Sequence, residues 1–198
     1  MMTFEAVHAR AHKLPGWCAD GEARRLYDLA SAVPGPIIEV GTWCGRSSCY
    51  LAAQGVERVF CVDPYDGPHW HSSWQHHPGG QHPLDLANSA WRELGLAELV
   101  TSIVDTSPEA VNDPRLPAEA GLVYIDGGHE YDEVMADLRA WAPKVICGGY
   151  VALHDYTVLG DQGVMWGVRQ ASEVYFEEVG GWEFLGIVDT LGVWRRTE

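Results

Sequence analysis

Along most of this chain, short apolar runs alternate with stretches in which apolar residues recur every three or four positions. The runs are Ile37–Val40 and residues 58–62, 100–104, 121–125 and 150–153. Between them, Leu86, Ala90 and Leu94 share one helical side, as do Val134, Leu138 and Trp141, and later Val164, Val168, Ala171 and Tyr175. Apolar runs separated by helical patterns predict a mainly parallel sheet with helices on both faces. Residues 1–35 read as helical, with Leu26, Tyr27, Ala30 and Val33 at helical spacing and Pro34-Gly-Pro36 as the stop. Two closing runs, 183–188 and 191–195, are close enough to form a hairpin. The fold class expected is therefore α/β, a doubly wound Rossmann-like sheet.

At 198 residues the chain is long enough for one domain with a substantial core. No stretch approaches a membrane span, and the N-terminus lacks a cationic start followed by an apolar run. A cytoplasmic protein is expected. The formal charge of -15 disfavours a nucleic-acid partner, since the largest basic groups are the pairs Arg24-Arg25 and Arg195-Arg196. Small-molecule chemistry is the better starting point. Five cysteines without Cys-x-x-Cys spacing read as free thiols rather than a disulfide or zinc set.

The first strand leads into Glu39-Val-Gly-Thr-Trp-Cys-Gly-Arg-Ser47. Gly41 and Gly45 suit a tight strand-to-helix turn and close approach of backbone to ligand. Ser47 and Ser48 add hydroxyls in the first helical turn, whose unpaired amides suit a carboxylate. Asp63 follows Gly41 by 22 positions, at the end of the next strand, where it can accept hydrogen bonds from ribose hydroxyls. A dinucleotide site usually shows Gly-x-Gly-x-x-Gly beneath its pyrophosphate. Here the pattern is Glu-x-Gly-x-x-x-Gly, and an acid before the turn faces an ammonium group better than a pyrophosphate. That favours the methionine end of S-adenosylmethionine.

A second polar group lies further along. Asp126 ends the fourth strand and His154-Asp155 the fifth. Doubly wound folds bind ligands outside the carboxyl ends of their strands. If these two strands are neighbours, Asp126, His154 and Asp155 can converge on a divalent cation. Oxygen ligands suit magnesium or manganese, and an imidazole shifts preference toward manganese or a later metal. The bland alternative is that His154 and Asp155 cap a strand or helix. Imidazole titrates near neutrality, so His129 is a candidate base, or else a histidine packed against Tyr131.

Taken together, Ile-Ile-Glu-Val-Gly-Thr-Trp-Cys-Gly-Arg-Ser-Ser, Val-Asp63-Pro, Tyr-Ile-Asp126-Gly-Gly-His129-Glu-Tyr131 and Gly148-Gly-Tyr-Val-Ala-Leu-His154-Asp155-Tyr156 resemble the class I S-adenosylmethionine-dependent methyltransferases. The similarity is to the small-molecule branch of catechol O-methyltransferase-like enzymes and metal-dependent natural-product sugar O-methyltransferases. It implies a seven-stranded sheet whose last strand is antiparallel, with a helical cap over 1–35 and the methyltransferase domain over 36–198. Its implied cofactor set is Glu39, Gly41, Gly45, Ser47, Asp63, Asp105, Ser107 and Asp126, with Ser107 and Asp105 near the adenine. His129 falls where relatives carry a general base, with Asp126 beside it. Asp126, His154 and Asp155 fall where relatives bind magnesium or manganese. The chain departs from the branch at Gly128, where many relatives have an acid, and at His154, where the sugar enzymes tend to have another acid.

The segment 68–82 holds five of the nine histidines and two tryptophans. It reads as an aromatic lid, an ordinary surface loop or a second metal cluster. The expected activity is O-methylation of a small phenol, catechol or sugar, and the helical N-terminal segment is a candidate for either an active-site cap or a homodimer surface. The rivals are a nicotinamide-dependent oxidoreductase and a non-catalytic cofactor-binding module.

Overall fold

The structure, a computed structural model, describes residues 1–55, 57–65, 81–157 and 167–198. The segment 68–80 and Val164 lie outside the described residues. Two helices come first, α1 (Phe4–Ala11) and α2 (Asp20–Ala32), followed by β1 (Ile37–Val40) and α3 (Arg46–Ala52). Next come β2 (Val59–Val62), α4 (Pro83–Glu93), β3 (Val100–Ile103) and β4 (Ala120–Ile125). The chain closes with α5 (Tyr131–Trp141), β5 (Val145–Leu153), α6 (Val168–Val179), β6 (Trp182–Val188) and β7 (Leu191–Arg196).

The seven strands form one sheet in the order β3-β2-β1-β4-β5-β7-β6. β1 to β5 run parallel, and β7 enters antiparallel between β5 and β6. The seven-stranded architecture with an antiparallel last strand is therefore present. Alternate residues of each central strand feed different cores. Ile37, Val59, Cys61, Leu122 and Tyr124 pack with α1 to α4, whereas Ile38, Val40, Val62, Val123 and Ile125 pack with α5 and α6. Burial on both faces explains why these strands read as continuous apolar runs. Each fully buried Ile, Leu or Val contributes about 1.5–3 kcal/mol.

The N-terminal helices share the first of these cores through Val7, Ala11, Ala23, Leu26, Leu29 and Ala30. Arg46, at the start of α3, adds a polar tie. Its guanidinium donates to the carbonyls of Gly16 (2.5 Å), Ala11 (3.4 Å) and His12. Trp17 stacks on Trp43 of the glycine loop, with ring centroids 5.2 Å apart. The segment before the sheet is thus fastened to the loop.

β5 is longer than the run 150–153 suggests. Gly148-Gly149 looks like a turn in sequence, but the strand passes through it with Gly148 at φ +81° and a register shift opposite Ala120/Leu122. A side chain at 149 would lie 2.6 Å from the Gly121 carbonyl, so glycine permits close strand contact there. After β3 a short 3-10 turn spans Glu109–Asn112. No disulfide joins the five cysteines, of which Cys44, Cys49 and Cys61 are buried, Cys18 half-buried and Cys147 exposed. Among the described residues, no helix is long and apolar enough to cross a membrane.

Candidate active site

Strand order reverses between β1 and β4, and the polar residues gather at that edge. Hydrogen bonding continues one residue beyond each strand. Gly41 donates its amide to Val62 (2.9 Å), Asp63 to Ile103 (3.1 Å), Asp126 to Val40 (2.7 Å) and His154 to Ile125 (3.0 Å). Each strand-end residue is therefore held in register, and this edge of the sheet is where doubly wound folds place ligands.

Gly41 has φ +88°, and a Cβ there would sit 2.0 Å from the Asp126 carbonyl oxygen. The turn therefore requires glycine twice over, for its dihedral and for its contact with β4. Trp43, also at positive φ, donates its amide to Asp63 Oδ2 at 2.7 Å. Asp63 Oδ1 accepts from the Tyr65 amide at 2.6 Å. Asp63 thus braces the glycine loop from β2, and each carboxylate oxygen has more than one lone pair for further donors.

Glu39 is fully buried on the α3 side of β1. It accepts hydrogen bonds from Ser47 Oγ (2.5 Å) and Thr42 Oγ1 (2.8 Å). The structure therefore places Glu39 and Ser47 against each other beneath the loop, where they fix its shape. Burial pushes the Glu39 carboxyl up to about 7, partly offset by the bonds from Ser47, Thr42 and Cys61. The unfolded chain releases this proton near the ordinary value of 4.5, so folding takes up a proton between there and about 7. Stability from this group should fall as pH rises through that window. Glu39→Gln should flatten the fall, changing the mutant-minus-wild-type difference between pH 4.5 and 8 by on the order of 3 kcal/mol. Urea denaturation at several pH values checks this; parallel curves would refute it.

β4 and β5 are neighbours, with Ile125 paired to Leu153. Asp126 and His154 consequently stand side by side. His154 Nδ1 lies 3.1 Å from Asp126 Oδ1 and 3.2 Å from Asp155 Oδ2. Tyr124 donates its hydroxyl to Asp126 Oδ2 at 2.9 Å, and His129 Nε2 lies 3.0 Å from Asp155 Oδ2. Asp155 reaches this position from a left-handed backbone, φ +54°. Burial alone would raise its carboxyl, but His129 and His154 outweigh that and hold it well below the usual range. Burial likewise opposes charge on His154, yet Asp126, Asp155 and Glu22 together raise the imidazole far above its ordinary value.

The ligand-type atoms of Asp126, His154 and Asp155 all lie within 4.8 Å of one another. His154 is only 4% exposed, and neither neighbouring oxygen aligns with Nδ1 to make a hydrogen bond. A buried ring nitrogen facing two carboxylates without an in-line partner fits a shared cation. Two oxygens and one imidazole suit manganese or magnesium better than a thiophilic metal.

The residues expected near an adenine stand apart from this cluster, past β3. Ser107 Oγ donates to Asp137 and accepts from Trp141 Nε1 at 2.8 Å. Burial raises the Asp137 carboxyl to about 6, against the bond from Ser107. Asp105 is exposed and accepts from the Thr106 amide at 2.9 Å. Sequence reading missed Tyr124, Asp137 and Glu22. Tyr124 and Asp137 sit in runs that read simply as strand and helix. Glu22 is the third residue of α2, where an acid ordinarily serves the helix N-terminus.

Comparison with known proteins agrees with this geometry. Residues 38–156 match a family described as a methyltransferase domain. A solved protein from Corynebacterium glutamicum superimposes with a TM-score of 0.71 at 20% identity, covering 98% of this chain and 90% of that one. The O-methyltransferase TomG from Streptomyces achromogenes, involved in tomaymycin synthesis and solved with S-adenosylmethionine, gives 0.68 at 20% identity over 97% and 86%. An O-methyltransferase from Bacillus cereus, solved with S-adenosylhomocysteine, gives 0.69 at 15% identity over 98% and 90%. Such identities establish a shared fold and leave the methyl acceptor open. With more than half its length matched and the seven-stranded doubly wound sheet in place, the chain belongs to the methyltransferase-domain family.

Proposed function

We propose that this protein is an S-adenosylmethionine-dependent O-methyltransferase acting on a small hydroxylated molecule, assisted by a divalent cation. One observation carries the reading: the Asp126–His154–Asp155 cluster adjoins the glycine loop, with Gly41 packed directly on the Asp126 backbone. A methyl donor on the loop and a hydroxyl at the cluster would meet over that contact. The net charge of -15 supports a small acceptor over a nucleic acid.

The chain's own residues divide the work. Gly41 and Gly45 let the loop backbone approach the methionine portion of the cofactor, while Glu39 and Ser47 hold the loop in shape. Asp63 is placed to accept from ribose hydroxyls, as acids at this position do in related crevices. Asp105 and the backbone of Ser107 would border the adenine, because the Ser107 hydroxyl is already engaged. Asp126, His154 through Nδ1, and Asp155 would hold magnesium or manganese. When bound, such a cation favours the deprotonated form of an acceptor hydroxyl. His129, oriented by Asp155, would receive the hydroxyl proton. Most of the rate gain would come from orienting nucleophile and methyl donor.

Isothermal calorimetry with S-adenosylhomocysteine should show micromolar or tighter binding, and NADH should show none. Absence of S-adenosylhomocysteine binding would overturn the reading. Quenching of tryptophan fluorescence by NADH alone would favour an oxidoreductase instead.

A further inference from the structure

We propose that Glu22, on α2 of the N-terminal segment, is the positioning residue that makes His154 a metal ligand through Nδ1. The inference rests on the cation reading above and deepens it. Glu22 is 2% exposed on a helix face otherwise formed by Ala23, Leu26, Leu29 and Ala30. A carboxylate buried among apolar groups is costly unless its oxygens are fully bonded.

Here they are. Oε1 accepts from the Thr190 amide at 2.9 Å and from the Thr190 hydroxyl. Oε2 accepts from the Ala19 amide at 2.7 Å and faces His154 Nε2 at 3.2 Å. The two amides can only donate, so Glu22 is an acceptor on both oxygens. Nε2 must then carry the hydrogen of that contact. An imidazole that ligates a cation has given up one of its two ring protons, and with the remaining N–H held on Glu22 the lone pair falls on Nδ1. That atom is the one lying between Asp126 and Asp155 without an in-line hydrogen-bond partner. A carboxylate behind a histidine, fixing ring and tautomer, is the arrangement that strengthens histidine ligation.

Helix capping alone does not account for Glu22. Capping needs only Oε2 on Ala19, whereas Oε1 reaches the turn between β6 and β7. The N-terminal helix, the C-terminal hairpin and the cation site are thereby joined through one side chain.

The test is calorimetric titration of the full chain with Mn2+, for wild type, Glu22→Gln and Asp155→Asn. The expected result is binding by wild type, none by Asp155→Asn, and about 10–100-fold weaker binding by Glu22→Gln, the usual cost of losing such a partner. Equal affinity for wild type and Glu22→Gln, with Asp155→Asn still inactive in binding, would overturn the Glu22 role and leave the cation site standing. No binding by wild type would overturn both. Should Glu22→Gln fail to fold, the wild type still decides. A long-range 15N–1H spectrum with diamagnetic Zn2+, with His154 assigned through His154→Gln, should show Nε2 protonated and Nδ1 bare. A proton on Nδ1 in the loaded protein would overturn the proposal.

Discussion

Asp155→Asn is expected to lower kcat by at least ~100-fold, a loss of about 3 kcal/mol of transition-state stabilisation, with S-adenosylhomocysteine affinity nearly unchanged. Asp155 Oδ2 is shared, 3.0 Å from His129 Nε2 and 3.2 Å from His154 Nδ1. One substitution therefore removes a negative charge from the cluster and weakens the contact that orients His129. Asparagine is the suitable replacement because it tolerates the left-handed backbone at φ +54°, where alanine would add strain. Asp126→Asn should behave similarly, since Asp126 contributes the opposite side of the cluster. Steady-state rates with and without Mn2+, alongside calorimetry, separate chemistry from cofactor binding. Full activity in both variants would remove the cation from the mechanism.

Gly41→Ala should destabilise the fold by about 4 kcal/mol and abolish cofactor binding. About 1–2 kcal/mol comes from the left-handed backbone, and the remainder from forcing the ends of β1 and β4 apart. The new Cβ would meet the Asp126 carbonyl at 2.0 Å, and backbone cannot swing aside as a side chain can. Gly35 supplies the control. It has φ +80° with nothing within 4 Å of where a methyl group would stand, so Gly35→Ala should show only the backbone component, about 1 kcal/mol. Denaturant midpoints measure both. Similar losses at the two positions would mean that the β1–β4 contact carries no special weight.

The outline of the fold was readable because the central strands are buried on both faces. The run ending at Ile125 had no polar face to blur it, and Ile37–Val40 carries only Glu39 among apolar residues, so hydrophobicity marked both. β5 was harder: its first half runs through Gly148-Gly149, and a glycine pair signals a turn unless another strand lies close enough to need it. The candidate cluster was legible in part for a topological reason. Polar residues closing apolar strands point to the ligand edge, so Asp63, Asp126 and His154-Asp155 could be singled out from the sequence.

Roles within the site were less legible than membership. Glu39 reads from sequence as facing a ligand, but its carboxyl is buried on Ser47 and Thr42 and raised toward 7. Strand alternation turns Glu39 toward α3, the same side as Ile37. Ser107 likewise has its hydroxyl committed to Asp137 and Trp141. Such commitments depend on which side chains a helix brings back over the sheet, and local sequence does not encode that.

By itself, the sequence determined the alternating α/β order, the glycine turn after the first strand, and the acids and histidine at strand ends. These follow from periodicity and backbone sterics, which act over a few residues. Tertiary structure decided that β4 lies beside β5, that Asp155 turns back to stand between His129 and His154, and that Glu22 reaches His154 across 132 positions of chain. Those contacts exist because burying two faces of one sheet brings distant segments together.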